Sequence, residues 1–437
     1  MISSTTVAII AFATFVVLLL LDIPVCISMM CCGVFFSMLV MRPGAALTLL
    51  SDSFYSTFTD YNVAVMPMFM FMGGLAAESR LGDDLFDCFA AYVGHRRGGL
   101  ATATMIACAA FGAICGVASA TAALMTRVAY PQMKKYSYND TISCGSICAG
   151  ASLSILIPPS MTLITYGIVA GASISKLLMG GILTGIVLLI VFVVSIKIWT
   201  KIDPKAAPTS RKFSAKERFK ALRSGGIIEI LLVFALSMGG MFAGWFTPTE
   251  AGVVGVAGMF IVSILFKRFS WQVLKKALVD TLIMSGMIFF MMVGAGTLGK
   301  LFTVSGLPDA IGKLAISVHL SNFGIIMFVT LIYLILGCFI DAVPLTLLMT
   351  PIFLPVIKLA GYDAVWFGCY VVVVISLGAI TPPVGMSCFT CAAIVQDVPV
   401  TTVFKGSVPY VASFVVMCAL LALIPGIATW LPSLLIG

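Results

Sequence analysis

Apolar segments long enough to cross a lipid bilayer follow one another through almost the whole chain, and only residues 201–224 form a long hydrophilic stretch. A bilayer core of about 30 Å is crossed by roughly 20 helical residues. Of the 437 residues, 61% are hydrophobic and 10% charged, whereas a soluble domain carries roughly 25% charged residues. The sequence therefore predicts an all-α polytopic membrane protein and excludes soluble enzymes and nucleic-acid binders.

Two pairs of consecutive prolines lie at equivalent places in two halves of the chain. When the second half is aligned with the first without gaps, Pro158-Pro159 matches Pro382-Pro383. Further identities in the same register are Leu124-Met125-Thr126 with Leu348-Met349-Thr350, Pro131 with Pro355, Lys134 with Lys358, Tyr138 with Tyr362 and Ser152 with Ser376. Five crossings per half, an odd number, would start the second half from the opposite face. This predicts an inverted-topology repeat, which is typical of secondary transporters.

The apolar pattern also divides the chain into segments. Two long apolar stretches, 99–133 and 322–357, carry small or helix-breaking residues at mid-length and are expected to form re-entrant helical hairpins. The predicted division is 1–60 scaffold helices and arm, 61–200 first repeat with the broken helix 140–170, 201–224 basic cytoplasmic loop, 225–278 scaffold helices, and 279–437 second repeat with the broken helix 362–396. In this division residues 403–435 form the last crossing.

Charge placement orients the chain in the membrane. With both termini in the periplasm and both hairpins returning to the side they left, nineteen of the 25 Lys and Arg residues face the cytoplasm, including Arg80 and the cluster of nine from Lys197 to Arg223, and five face out. Lys and Arg accumulate on the cytoplasmic side of membrane proteins. The net charge of +8 is thus explained by topology, and no nucleic-acid partner is predicted.

The Pro-Pro breaks are the predicted centre of the chemistry. Consecutive prolines remove amide donors and free the carbonyl groups one turn earlier. Irregular backbone at membrane depth is tolerated only where protein or a water-filled cavity surrounds it. Freed carbonyls and the C-terminal ends of half-helices suit Na⁺, and half-helix N-termini suit an anion. A plain proline kink is the alternative for one such pair.

Two charged side chains within apolar stretches are functional candidates. Asp341 lies at the predicted tip of the second hairpin, where it could bind a cation or cap a helix. Arg127 follows the first tip and could pair with a substrate carboxylate, although snorkelling to the cytoplasmic surface is favoured. The thirteen cysteines lie mostly in apolar runs, and with only His95 and His319 besides them no metal or redox site is predicted. No enzyme constellation and no Walker-type ATP motif occurs.

Several motifs together resemble a known family. They are Phe111-Gly-Ala-Ile-Cys-Gly-Val-Ala-Ser-Ala-Thr-Ala-Ala-Leu124, Ile155-Leu-Ile-Pro-Pro-Ser160 with Tyr166-Gly167, Gly337-Cys-Phe-Ile-Asp341 with Pro351-Ile-Phe-Leu-Pro355, and Gly378-Ala-Ile-Thr-Pro-Pro-Val-Gly385. In this order they resemble the large membrane subunit of tripartite ATP-independent periplasmic (TRAP) transporters. One departure is Gly116-Val117-Ala118, where the family usually has Gly-Ser-Ser.

The resemblance implies an elevator-type, Na⁺-driven importer of organic acids in the bacterial inner membrane. Its partners would be a small four-helix membrane subunit, expected as a separate chain, and a periplasmic substrate-binding protein. Sialic acid and C4-dicarboxylates are the leading substrates. A related dicarboxylate carrier that works without a binding protein is the alternative, and a channel or structural subunit would not need two broken helices.

Two or more Na⁺ ions are expected where each hairpin tip meets the broken helix of its own half. The predicted Na⁺ ligands are Gly116, Ser119, Ser154, Ile155 and Pro158 in the first half, and Asp341, Val343, Gly378, Thr381 and Pro382 in the second. The substrate is expected between them, held by Ser160, Thr162 and Thr390, with Arg127 as a further candidate, and by helix N-termini.

Overall fold

The computed structural model describes residues 3–21, 23–79, 81–223, 227–317 and 321–435, and within these ranges the chain is helical without any strand. Arg80 and His319, considered above, lie outside the described residues. The helices of the first half are α1 (Ser4–Leu20), α2 (Val25–Val40), α3 (Pro43–Thr59), α4 (Val65–Glu78), α5 (Leu81–Val93), α6 (Gly99–Cys115), α7 (Ala118–Lys135), α8 (Asp140–Ala151), α9 (Met161–Ala170), α10 (Ile174–Ile202) and α11 (Ala215–Arg223).

The second half of the chain is also helical. Its helices are α12 (Ile227–Phe242), α13 (Pro248–Leu265), α14 (Trp271–Val304), α15 (Leu307–Ser317), α16 (Asn322–Gly337), α17 (Ala342–Leu359), α18 (Ala364–Gly378), α19 (Met386–Val395), α20 (Val400–Leu423) and α21 (Gly426–Leu435). Short 3₁₀ turns at Tyr61–Ala64 and Ser152–Ile155 complete the helical segments. An all-helical membrane protein is what the apolar pattern predicts.

Five of the described helices, α10, α13, α14, α17 and α20, are long and apolar enough to cross a membrane, and the bent pair α11–α12 gives a sixth span if taken together. This number is lower than the ten predicted crossings. Several of those crossings are helices of 14 to 17 residues, and two are interrupted at a Pro-Pro pair. A helix rises only about 1.5 Å per residue, so these segments fall short of a full span by length alone.

The structure corrects three assignments made from the sequence. Residues 403–435 are not one helix, because α20 ends at Leu423 and Pro425 separates it from α21. The stretch 201–224 is not loop throughout, since α11 lies within it. Helices α5 and α15 occupy segments for which no element was assigned. Both are short and carry polar residues among the apolar ones, so a search for long apolar runs passes over them.

The helices pack in two groups. In the first, α14 packs against α2, α3 and α4, while α13 packs against α4 and α12. In the second, α8 packs against α6, α7 and α20, and α10 packs against α9, α18 and α21. The two groups meet where α4 contacts α6 and where α14 contacts α17. We call the first group the scaffold and the line of contact between the groups the seam.

The helix boundaries repeat along the chain as the sequence matches do. In the register that aligns the two Pro-Pro pairs, α7 (Ala118–Lys135) and α17 (Ala342–Leu359) coincide at both ends. Each belongs to a pair of helices in contact, α6 with α7 and α16 with α17. Each pair is followed by a helix, a Pro-Pro break and a ten-residue helix, α9 or α19. The order of elements therefore repeats in the same register as the matched residues.

Candidate ion and substrate site

The tip between α6 and α7 lies directly on the first Pro-Pro break. Gly116 ends α6 with φ +67°, in the left-handed region where glycine is favoured. Its carbonyl accepts a 3.4 Å hydrogen bond from the Met161 amide. A Cβ at Gly116 would lie 2.1 Å from the carbonyl oxygen of Pro159. Only a glycine allows the tip to approach the break this closely.

The tip between α16 and α17 meets the second break in a corresponding way. The Gly385 amide donates a 3.4 Å hydrogen bond to the Cys338 carbonyl. Gly337 and Gly378 bring the two backbones together, because a Cβ at Gly378 would lie 2.6 Å from the carbonyl carbon of Gly337. The two donors, Met161 and Gly385, occupy equivalent positions of the repeat. Equivalent amides of the two halves thus tie each tip to the break of its own half.

Several backbone carbonyls at the breaks accept no hydrogen bond from any described residue. In the first half these are the carbonyls of Ser154, Ile157 and Pro158, and in the second those of Thr381 and Pro382. Ile155 is different, since its carbonyl accepts from the Ser160 hydroxyl, and the Gly378 carbonyl accepts from the Thr381 amide at 3.0 Å. Ser154 and Pro158 are buried, Ile157 and Thr381 half-buried, and Pro382 is exposed. The remaining set offers oxygen ligands of the kind that hard cations prefer.

Asp341 caps α17 in the structure, and its Oδ1 accepts a 2.8 Å hydrogen bond from the Ala342 amide. The residue is exposed at the tip, whereas Val343 is half-buried. Ser119 is likewise exposed at the other tip. The carboxylate therefore combines a capping role with access to the space beside the tip.

The hydroxyls predicted to hold the substrate are mostly used within the protein. Ser160 caps α9 by accepting from the Leu163 amide at 3.1 Å while its proton goes to the Ile155 carbonyl. The Thr390 hydroxyl donates to the Met386 carbonyl at 2.9 Å. Thr162 is buried. Helix α9 packs against α17 and α18 while α19 packs against α7 and α8, so Thr162 and Thr390 belong to different helix contacts.

Two backbone amides at the half-helix N-termini have no acceptor within the described ranges. They belong to Thr162 in α9 and Met386 in α19, which are again equivalent positions of the repeat. Free amides at a helix N-terminus together with the helix dipole attract anions. The Pro-Pro motifs predicted that half-helices begin after the breaks. Which of their first amides lack an acceptor depends on the hydrogen bonds that the Met161 and Gly385 amides donate to the tips.

Comparison with known proteins decides the family. Residues 12–427 match the family described as the tripartite ATP-independent periplasmic transporter, DctM component. The chain belongs to this family. It is therefore the large membrane subunit of a TRAP transporter, and the resemblance seen in the motifs is confirmed.

Relatives of this TRAP subunit differ in the substrate for which they are named. The C4-dicarboxylate large permease DctM of Pseudomonas aeruginosa is 28% identical, with 88% of this chain and 89% of the relative covered. The ectoine large permease TeaC of Halomonas elongata is also 28% identical, over 97% and 98%. The sialic acid large permease SiaM of Vibrio cholerae is 26% identical, over 91% and 92%. All three are transporter permeases and none is an enzyme.

A solved structure supports the fold. The YdaH transporter of Alcanivorax borkumensis, described as having an unusual topology, superposes with a TM-score of 0.60 at 13% identity, covering 87% of this chain and 89% of the other. At this identity the likeness concerns the fold alone.

Arg127 is the cation that the sequence offered as a partner for a substrate carboxylate. It is exposed on α7 and makes no ion pair with any described residue. Its helix packs against α19, which carries Thr390.

Sequence reasoning did not single out the charges between the scaffold helices α4 and α14. Glu78 on α4 pairs with Lys276 on α14, with Nζ and Oε1 2.7 Å apart. Asp280 lies one turn further along α14 and lines a cavity with Glu78. The sequence did contain one signal that could have pointed to these charges. Asp280 lies close to the start of the predicted second repeat, 279–437, and a carboxylate near the membrane core is seldom without function.

Proposed function

We propose that this subunit is a Na⁺-coupled, elevator-type secondary transporter that imports a small organic acid anion across the bacterial inner membrane. The observation that carries the proposal is the matched pair of tip contacts, Met161 with Gly116 and Gly385 with Cys338, beside carbonyls that accept no hydrogen bond from the part of the chain that the structure describes. Paired broken helices in repeated halves are the arrangement in which secondary transporters hold ions and substrate near mid-membrane.

The ions would be held mainly by backbone. The first site combines the tip at Gly116 and Ser119 with the carbonyls of Ser154 to Pro158, and the second combines Asp341 and Val343 with the carbonyls of Gly378 to Pro382. Among the described residues no three His, Cys, Asp or Glu side chains are grouped to hold a metal ion. A weakly held, desolvated Na⁺ suits backbone oxygens, and two such sites would give more than one Na⁺ per substrate.

The substrate would be an anion held by few permanent charges. The relatives are named for C4-dicarboxylates, ectoine and sialic acid, which are small polar molecules that each carry a carboxyl group. The free amides of Thr162 and Met386 would be available to donate hydrogen bonds to that carboxylate or to another oxygen of the substrate, with the bound Na⁺ ions supplying positive charge. A site without a fixed cation binds its anion weakly unless Na⁺ is present, and capture by a periplasmic binding protein compensates for that weakness.

The scaffold would stay fixed while the second helix group moves with its cargo. Helix α1, which packs against α2, and the scaffold helices α2, α3, α12 and α13 carry no Pro-Pro break. They expose large apolar side chains such as Phe35, Leu39 and Ile261. A sliding domain needs a wide support. A separate four-helix membrane subunit would cover these apolar faces, with both termini of the large subunit in the periplasm and residues 201–224 in the cytoplasm.

Uptake should require an inward Na⁺ gradient. The complex, reconstituted in proteoliposomes with the small subunit and the binding protein, should accumulate labelled substrate with Na⁺ outside and lose at least about tenfold in rate, roughly 1.4 kcal/mol, when K⁺ or choline replaces it. Undiminished uptake in Na⁺-free buffer would refute the coupling. Equal uptake without the binding protein would favour the binding-protein-independent carrier.

The small subunit should contact the scaffold and not the hairpin tips. A photoreactive amino acid placed at Phe35 or Ile261, which are 61% and 56% exposed, should give a cross-link to the small subunit visible on a gel. The same group at the exposed Ser119 of the tip is the matched control and should give none. Cross-links from Ser119 with none from Phe35 and Ile261 would reverse the assignment of the two groups.

A further inference from the structure

A cavity of about 440 Å³ lies on the seam, between the scaffold and the second helix group. The scaffold contributes Leu49 of α3 and residues of α14 from Met292 to Val304. The second group contributes Val169 of α9 together with Leu347 and Pro351 of α17. The volume is within the range of about 300–1,000 Å³ that is typical of small-molecule sites. None of these residues belongs to the proposed ion and substrate site.

The wall of this cavity is apolar apart from two side chains. Among the described residues that line it, Lys300 is the one that carries a charge, and Thr303 is the other with a polar side chain. Lys300 is half-buried and forms no ion pair with any residue of the described ranges. Met292 and Leu347 are buried. An unpaired cation beside an apolar wall favours a ligand that has an anionic group and a hydrocarbon part, because the hydrocarbon part gains by leaving water.

The position of Lys300 along α14 places it relative to the bilayer. Helix α14 has 34 residues, and at about 1.5 Å per residue it is longer than the roughly 30 Å of the bilayer core. Between Asp280 and Lys300 the nineteen residues 281–299 are all uncharged, and they span about 28 Å as a helix. This uncharged segment matches the core, so Lys300 lies at the level of the lipid headgroups.

The cavity extends from that level into the bilayer core. Met292 lines it eight residues before Lys300, which is about 12 Å deeper along the helix. Ala295, Gly296 and Gly299 line the interval with a methyl group or no side chain, which leaves room between the helices. An ammonium at headgroup level above about 12 Å of apolar wall matches a phosphate group with one attached acyl chain. A small organic acid would occupy only the charged end.

We propose that this cavity binds an anionic glycerophospholipid from the surrounding bilayer. Its phosphate pairs with Lys300, and one acyl chain fills the space between α14 and α17. Because both helix groups line the cavity, the acyl chain keeps the seam filled with hydrocarbon where the groups do not pack directly. The site goes beyond the proposed function and does not depend on coupling to Na⁺.

Photolabelling with lipids tests the site. The complex with the small subunit is reconstituted in phosphatidylcholine nanodiscs that contain a small fraction of phosphatidylglycerol with a diazirine in its acyl chain. After irradiation, mass spectrometry of peptides should find lipid adducts on the cavity wall, at Met292 and Leu347. Phosphatidylcholine with the same diazirine chain should label these residues about fivefold less, the preference that one lysine gives to an anionic lipid.

Four variants separate charge from space. Lys300→Gln should lower the phosphatidylglycerol adducts at Met292 and Leu347 to the phosphatidylcholine level, while Lys300→Arg should retain them. Lys313→Gln is the matched control and should change nothing, because Lys313 is an exposed lysine of α15 that does not line the cavity. Ala295→Leu keeps the charge but fills the cavity, so it should lower labelling by both lipids. Equal amounts of folded complex, measured by size-exclusion chromatography, are compared.

Equal labelling of Met292 and Leu347 by the two lipids, or no adducts at either residue, would overturn the proposal. Labelling unchanged in Lys300→Gln would do the same, since the lysine would then only snorkel to the surface. Adducts that millimolar succinate displaces and excess unlabelled phosphatidylglycerol does not would assign the cavity to a small soluble anion instead. Labelling is measured without transport, so uptake that proves independent of Na⁺ would refute the proposed function and leave this result standing.

Discussion

Replacing Gly116 with alanine is expected to lower Na⁺-driven uptake by about 100-fold or more, which corresponds to roughly 3 kcal/mol of lost stabilisation. The new methyl group would have to sit 2.1 Å from the Pro159 carbonyl oxygen, so the tip would be pushed off the break and its hydrogen bond with Met161 lost. The proposed first Na⁺ site is formed by this contact. The measurement is the initial rate of uptake per amount of folded complex, together with the Na⁺ concentration at half-maximal rate.

Gly171→Ala is the matched control for this variant. Gly171 follows α9 with φ +60°, so alanine there carries the same left-handed strain of roughly 1–2 kcal/mol, but nothing lies within 4 Å of its Cβ. Gly171→Ala should retain most of the uptake and an unchanged Na⁺ dependence. If both variants lose uptake equally, backbone strain explains the loss. If Gly116→Ala transports normally, the tip contact has no part in ion binding.

Asp341→Asn should raise the Na⁺ concentration needed for half-maximal uptake by at least about tenfold, or roughly 1.4 kcal/mol. Asparagine caps a helix about as well as aspartate, so the acceptor for the Ala342 amide is kept and only the negative charge is removed. A carboxylate within a membrane segment is a functional candidate as a cation ligand. The substitution therefore separates the two roles that the sequence left open for Asp341.

Asp363→Asn provides the comparison for Asp341. Asp363 caps α18 by accepting from the amides of Val365 and Trp366 at 2.7 and 3.1 Å, and no ion site is proposed there. This variant should leave the Na⁺ dependence unchanged. If Asp341→Asn behaves in the same way while Asp341→Ala loses folded protein, Asp341 is a helix cap and the second Na⁺ site must be built from backbone alone.

Local chemistry made much of the fold predictable. Proline pairs remove amide donors wherever they occur, so Pro158-Pro159 and Pro382-Pro383 predict broken helices without knowledge of their surroundings. Both breaks are present in the structure. The 99–133 and 322–357 stretches contain the helix pairs α6–α7 and α16–α17. The family also followed from these motifs, since they occur in order along the chain.

Other features depended on which segments meet. Ser160 was predicted to bind substrate, yet its hydroxyl is consumed by the Ile155 carbonyl and the Leu163 amide. Whether a hydroxyl is free depends on acceptors brought near by the folded chain. In the same way, Glu78 and Lys276 are far apart in sequence and share no motif. Their ion pair could therefore not be predicted from the sequence and is known only from how the helices pack.

The sequence alone determined that this protein spans a membrane, where its helices break and to which family it belongs, because hydropathy, proline chemistry and motif order are properties of local segments. The tertiary structure decided which backbone atoms the breaks leave free. The backbone amides of Met161 and Gly385 donate hydrogen bonds to the hairpin tips, whereas the amides of Thr162 and Met386 have no acceptor among the described residues. Hydrogen-bond satisfaction is a property of pairs of groups, and the pairs are formed only when hairpin and broken helix come together.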